Sequence, residues 1–310
     1  MNLAPGADPF FTVLKVDDHR ILPREEGHQK TVLEAMNYSV KAGGKRLRPL
    51  FMREVYRLFA GRTGSVAEGQ PEGGMAYEAA VEPFMAAIEM IHTFSLIHDD
   101  LPCMDNDRLR RGMATAWVKY GYDLAVLAGD ALALYAFETA AKAFSMTDSP
   151  RAVGRCIGLL AAKSGINGMI GGQTVDVQLT GKPVNSGELD FIYRLKTGAL
   201  LEASMMIGAV LGGADEEQEQ AVEKMASCVG QAFQIQDDIL DVTGNVEMIG
   251  KPVLSDEKNE KTTYVTLYGI EEAKKAVKEQ SGKAQEILEG LPGDHQFLSY
   301  LIERLTTREK

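Results

Sequence analysis

The stretch MAYEAAVEPFMAAIEMIHTFSLIHDD, Met75 to Asp100, is apolar on nearly every side of a helical projection and stops at two adjacent carboxylates. A helix that is apolar all round is a buried one. The segment therefore predicts a central helix with acids at its end, and Pro83 either kinks it or marks its true start. Outward from it the helical period recurs. Val32, Ala35, Met36 and Val40 fall three and four apart, and Gly43-Gly44 closes that segment. Pro49 suits the first turn of a helix running to Ala60, before the turn-rich loop GRTGSVAEGQPEGG. Further helices are predicted near 120–145, 150–167, 187–211, 215–242, 264–289 and 295–307, punctuated by Gly171-Gly172, Gly212-Gly213 and Asp215-Glu216-Glu217. No alternating strand pattern, repeat or low-complexity linker stands out. The reading is an all-α chain, one domain over residues 1–310, a bundle of about ten helices.

The totals narrow the function. The chain has 310 residues, 45% of them apolar, enough for a substantial core. Its net charge of −11 argues against a general binder of nucleic acid or anionic membrane. Any anionic ligand must then be held by a local basic cluster. Cys103, Cys156 and Cys228 are scattered and lack CxxC spacing, which reads as reduced thiols in the cytoplasm. The first twenty residues carry no signal-peptide pattern. Asp130 and Glu202 interrupt the long apolar runs, so no membrane span of about 18 residues is expected.

The charge pattern after the central segment is unusual. Asp99, Asp100, Asp105 and Asp107 are followed at once by Arg108, Arg110 and Arg111. Grouped carboxylates repel unless something positive lies among them. A second group, FQIQDDILD from Phe233 to Asp241, sets Asp237 and Asp241 four apart on one helix face, with Asp238 beside them. One such cluster reads as a solvated helix end. Two, each closing an apolar helix, read as hard-oxygen ligands for Mg²⁺ or Mn²⁺ rather than zinc. Magnesium takes one or two carboxylates and leaves its other positions to water and substrate phosphates. Basic residues complete the picture. Lys45 and Arg48 sit at a predicted helix start, Lys196-Thr197 lies beside Gly198, and Lys251 and Lys261 flank the loop GKPVLSDEKNEKTTY.

In order along the chain come GGKRLRP, EMIHTFSLIHDDLPCMDNDRLRRG, LAGDAL, GGQTVD, KTGALLEAS, AFQIQDDILD and the Lys251–Lys261 loop. This series, from Lys30 onward, resembles the short-chain trans-isoprenyl diphosphate synthases, the farnesyl and geranylgeranyl diphosphate synthase family. The resemblance implies an isoprenoid-synthase bundle around a deep central cavity, a homodimer, and three Mg²⁺ per active site with Mn²⁺ as a substitute. It implies metal ligation by Asp99, Asp100 and Asp105 and by Asp237, Asp238 and Asp241. It gives Arg110, Lys196, Lys251 and Lys261 to the allylic diphosphate, Thr197 and Gln234 to the reacting centre, and Phe233 to substrate binding. Lys45, Arg48, His92 and Arg111 fall to isopentenyl diphosphate. His98 has no such assignment and is read as structural.

The chemistry agrees with these roles. An allylic C–O bond must break to a carbocation and pyrophosphate, whose developing charge needs metal ions and fixed cations. The double bond of isopentenyl diphosphate then attacks, and an apolar wall keeps water away. Phe94 lies about 7.5 Å along a helix from Asp99. In the family an aromatic there, with Ser95 next to it and the two-residue expansion in DDLPCMD, goes with a C15 product. A C20 product is the alternative.

Leu254, where relatives usually have glycine, Trp117, Asn106 and Arg108 depart from the family pattern without removing a ligand. A class I terpene cyclase is disfavoured by DDILD and by the retained basic set. A non-catalytic synthase subunit is disfavoured by two intact aspartate clusters. A calcium loop fails because Arg110 occupies the sixth position counted from Asp105. An HD-type phosphohydrolase lacks ligands beyond His98-Asp99.

Overall fold

The computed structural model describes residues 21–60, 74–243 and 262–308, with the side chains of 74–78 excepted. Lys251, Leu254 and Lys261 lie outside the described residues. Among those described, ten α-helices of eleven residues or more form the framework, as expected of an all-α chain. The chain divides into two compact units, Met1–Arg53 with Met75–Val153 and Glu54–Gly74 with Gly154–Lys310.

The first unit contains α1 (Lys30–Lys41), the start of α2 (Leu47–Ala60) and the long α3 (Gly74–Asp99). Pro83 is internal to α3, so it does not mark the helix start. Val81, Phe84, Ile88, Met90 and Ile91 are buried on different sides of α3, as an apolar circumference requires. A hairpin follows. β1 (Leu109–Arg110) pairs antiparallel with β2 (Met113–Ala114), and Arg111 and Gly112 both have positive φ, the mark of a tight hairpin turn. The strands are two residues each, too short to show alternation, so the sequence gives no strand signal there. Short α4 (Ala116–Tyr120) leads into α5 (Tyr122–Ala141), and α1 packs against both.

The second unit is built on α10 (Glu216–Thr243) and α9 (Ala199–Gly212). α9 is buried along almost its whole length, Glu202 included. That carboxylate is held by Lys163 at 2.5 Å, and Lys163 also reaches Glu223 at 2.7 Å. A buried charge persists only when paired in this way. α6 (Pro150–Ser164) carries Lys163. α7 (Met169–Leu179) and α8 (Ser186–Ile192) precede a π-helical turn, Tyr193–Gly198, which runs straight into α9. After residue 262 come α11 (Tyr264–Tyr268), α12 (Ile270–Glu289) and α13 (Gln296–Thr306). The expected single helix over 264–289 is broken at Gly269, whose φ of 82° leaves the helical region.

Two further expectations are corrected. The Gly171-Gly172 pair, read as punctuation, lies inside α7. The pair serves close packing rather than chain reversal: a Cβ on Gly172 would meet the Lys196 backbone nitrogen at 2.3 Å. The membrane criterion also differs. Ala79–Asp99, Tyr122–Ser145 and Ser186–Gly212 are each long and apolar enough to cross a membrane by length and composition alone. Asp130 and Glu202 do not prevent this, because one acid lowers the mean hydropathy of such a window less than its aliphatic residues raise it. For Ala79–Asp99 and Ser186–Gly212, 78% of the window is buried within the protein, so their hydropathy is accounted for by the core.

Candidate active site

In the first unit the aspartate-rich motif is a compact loop at the end of α3. The Asp105 N–H donates to the Asp99 carbonyl at 2.9 Å, and the Met104 and Asn106 N–H groups both donate to Leu101. The turn thus returns the chain so that the Asp99 and Asp105 backbones touch. Asp100 behaves differently. Its buried carboxylate accepts three contacts from Arg110, at 2.8 and 3.0 Å from Nε and 2.6 Å from Nη2. Burial pushes the Asp100 carboxyl up against the pull of Arg110, while Asp100 raises Arg110 past the lowering effect of burial. Such two-pronged pairing fixes orientation as well as charge.

The GGKRLRP loop meets the hairpin in the same unit. Arg111 donates through Nη1 to the Gly43 carbonyl. Arg46 is buried, pairs with the buried Glu89 of α3 and donates to the Val40 carbonyl. Among the described residues the only non-glycine residues with positive φ are Arg46, Asn106 and Arg111, all within these two motifs. Strain of this kind collects at functional loops. His92 is densely surrounded although part of it touches solvent. Its imidazole is pushed well below the usual 6.5 by burial and then by Arg48, Arg111, Arg110 and Arg46. Lys45 is exposed and Arg48 half-buried.

Phe94 is buried in α3, and its ring meets that of His98 edge-on at 5.9 Å. His98 Nε2 lies 3.1 Å from the Val126 carbonyl of α5, which agrees with a structural histidine. Ser95 Oγ donates to the His92 carbonyl at 2.9 Å.

In the second unit a cavity of about 220 Å³ is lined by Lys196, Thr197, Gln234 and Asp238 of the expected set, together with Asp176, Tyr193 and Thr263. Lys196 and Thr197 lie on the π turn, an irregularity that recurs at functional sites because it re-aims side chains within a helix. Thr197 Oγ1 donates to Gln234 Oε1 at 2.8 Å, and Lys196 Nζ donates to Asp176 at 2.6 Å. Asp238 is buried, takes the Tyr193 hydroxyl hydrogen bond, and takes the Tyr264 N–H at 2.8 Å. Asp237 and Asp241 are half-buried. Asp237 pairs with Arg308, whose guanidinium also lies over the Phe233 ring, 4.1 Å from its centroid. Asp176, Tyr193, Arg46 and Arg308 were not singled out by sequence reasoning. The first three stand in or beside quoted motifs, but their partners are distant in sequence. Nothing in the sequence marks Arg308.

Among the described residues no group of three or more Asp, Glu, His or Cys side chains is arranged to hold a metal ion. Magnesium does not require such a trio, since one or two carboxylates suffice beside phosphate and water. The apposed Asp99 and Asp105, and the half-buried Asp237 and Asp241, are donor sets of that kind. Asp100 and Asp238 are buried and engaged by Arg110 and by Tyr193 and Tyr264, while Asp237 keeps its pairing with Arg308 at a more exposed position.

An all-α chain with one aspartate-rich loop, an aspartate-rich helix end, a cluster of arginines about a histidine and a Lys-Thr π turn has the equipment of an enzyme that handles diphosphates. The family profile described as Polyprenyl synthetase matches residues 29–303, and the chain belongs to that family. It is a trans-prenyltransferase of the farnesyl and geranylgeranyl diphosphate synthase kind. The chain is 41% identical over 290 residues to a farnesyl diphosphate synthase of Geobacillus stearothermophilus, covering 94% of this chain and 92% of the relative. It is 44% identical over 256 residues to a chloroplastic geranylgeranyl pyrophosphate synthase of Catharanthus roseus, covering 82% and 67%. Among solved structures, a Helicobacter pylori geranyltransferase complexed with magnesium and isoprenyl diphosphate matches with a TM-score of 0.78 at 32% identity, covering 94% and 91%. A Zymomonas mobilis FPP/GFPP synthase matches with a TM-score of 0.78 at 31% identity, covering 93% of each chain.

Proposed function

We propose that this chain joins isopentenyl diphosphate to dimethylallyl or geranyl diphosphate and makes mainly the C15 product, farnesyl diphosphate. The observation that carries the reading is the grouping of Arg48, Arg111, Arg110 and Arg46 about His92, which with burial pushes the imidazole below its usual value. Four arginines about one half-buried ring, two of them answered by the buried acids Glu89 and Asp100, fit a multiply charged anion in an otherwise acidic protein. Lys45, Arg48, His92 and Arg111 bind the isopentenyl diphosphate. Arg110 and Lys196, with Lys251 and Lys261, bind the allylic diphosphate. Asp100 orients Arg110, and Asp176 orients Lys196 until substrate arrives.

Asp99 and Asp105, and Asp237 and Asp241, hold Mg²⁺, up to three ions in all, with Mn²⁺ as a substitute. The ions, when bound, supply Lewis-acid neutralisation of the diphosphate charge. The protein's own work is to grip the diphosphate oxygens with fixed cations while the C–O bond breaks and to keep water from the carbocation. Thr197 and Gln234 border the reacting centre, and Phe233 binds substrate. Phe94, buried and braced by His98, forms the floor that stops elongation at C15.

Residues 1–310 form one polyprenyl synthase domain, since the family match runs unbroken through both compact units. The protein works in the cytoplasm, in keeping with three free cysteines. It acts as a homodimer. Leu127 and Leu134, seven apart on α5 on either side of the exposed Asp130, are 54% and 73% exposed, large apolar side chains of the sort subunits cover. Incubation with isopentenyl diphosphate, each allylic starter and Mg²⁺, followed by product sizing, tests the reading. Absence of any longer prenyl diphosphate refutes it.

A further inference from the structure

We propose that Asp238 is a positioning residue rather than a metal ligand, and that Tyr193 is its dedicated partner. Together they fasten the π turn and the 262–264 segment to α10. The two aspartates of the DD pair differ sharply in setting. The Asp237 side chain is 44% exposed and meets Arg308, whereas Asp238 is buried. Asp238 is flanked on α10 by Ile235 and Ile239, which belong to the same apolar cluster as Tyr193.

A carboxylate in such surroundings is costly unless donors satisfy it. Here the donors come from separate parts of the chain. The Tyr193 hydroxyl donates to Oδ2 from the π turn, and the Tyr264 N–H donates to the same oxygen at 2.8 Å from the start of α11. The Tyr193 hydroxyl in turn accepts from that N–H at 3.1 Å, which closes a three-membered ring of contacts. Gln234 Nε2 lies 3.4 Å from Oδ1, and Gln234 Oε1 takes the Thr197 hydrogen bond. One carboxylate therefore ties the π turn at both Tyr193 and Thr197 and sets the neighbouring Thr263 against the same cavity. A metal at Asp238 would compete for a carboxylate whose Oδ2 already takes the contacts that shape the wall carrying Lys196.

The kinetic part of this inference rests on the function proposed above; the structural part does not. Hydrogen exchange of the 262–268 amides in the metal-free protein tests the fastening directly. Calorimetric titration with Mg²⁺ tests ligation. Tyr193→Phe keeps the ring and loses only the hydroxyl. It and Asp238→Asn are expected to speed exchange at Tyr264 by about tenfold, the scale of one hydrogen bond, with Mg²⁺ affinity held within about twofold. Asp237→Asn should weaken Mg²⁺ binding and leave that exchange unchanged. Both fastening variants should raise KM for the allylic diphosphate more than they lower kcat. Unchanged exchange in Tyr193→Phe overturns the proposal, as does a loss of Mg²⁺ affinity in Asp238→Asn equal to that in Asp237→Asn. Should Asp238→Asn fail to fold, Tyr193→Phe decides alone. A chain without prenyltransferase activity would still give the exchange result, so the two failures are distinguishable.

Discussion

Gly172 of α7 stands so close to Lys196 that a single added carbon would lie 2.3 Å from the Lys196 backbone nitrogen and 2.9 Å from the carbonyl carbon of Leu195. Backbone atoms cannot yield to such a contact as the tip of a flexible side chain can. Helix α7 therefore approaches the π turn only because residue 172 has no side chain. The same helix supplies Asp176, which holds the Lys196 ammonium. One helix thus sets both the backbone and the charged tip of Lys196, the lysine proposed to bind the allylic diphosphate.

Gly172→Ala should push α7 and the π turn apart. The expected result is a loss of about 1–3 kcal/mol in stability, the scale of overpacking, with a fall in kcat. Urea denaturation with steady-state kinetics checks it. Asp176→Asn, which keeps the shape and removes the charge, should leave stability nearer to wild type.

The pair of Glu89 and Arg46 is buried on both sides, with side chains 6% and 7% exposed. Removing the carboxylate charge strands a guanidinium in the core. Glu89→Gln should cost about 3–5 kcal/mol and show as a lowered denaturation midpoint. A midpoint equal to wild type would show that the pair carries no such load.

His92 makes stability depend on pH. The folded state holds its pKa well below 6.5 through burial and the neighbouring arginines, so only the unfolded chain takes up a proton near 6.5. Its contribution is complete above that value and is lost as pH falls below it. Denaturation at about pH 7.5 and about pH 5.5 should show a larger acid loss for wild type than for His92→Gln. Equal losses would contradict the setting described for the ring.

Phe94 tests the product assignment. Phe94→Ala should open the floor proposed beneath the growing chain and shift products from C15 to C20 or longer. The lost packing should cost about 3–5 kcal/mol. Chromatography of the dephosphorylated products reads the outcome, and an unchanged C15 product would assign the stop to another residue.

Magnesium dependence gives a last check. Chelation should abolish turnover, and added Mg²⁺ should restore it. Asp105→Asn should raise the Mg²⁺ needed for half-maximal rate by more than about tenfold, the loss that even an outer-shell partner brings.

The sequence by itself determined the helical class, the buried character of α3 and the residue types that handle a diphosphate. Those properties follow from periodicity and local composition, which the chain carries in windows of a few turns. It also marked Asp99, Asp105, Lys196 and Gln234 through ordered motifs. Tertiary structure alone decided which acid of each pair is buried and what holds it there. Asp100 goes to Arg110 across a hairpin whose strands are too short to leave a pattern, and Asp238 goes to Tyr193, 45 residues distant. It also decided that Gly172 belongs inside a helix, because a glycine chosen for close packing and a glycine chosen for a turn are the same letter. Partners of that kind are set by three-dimensional packing, and no periodicity in the chain records them.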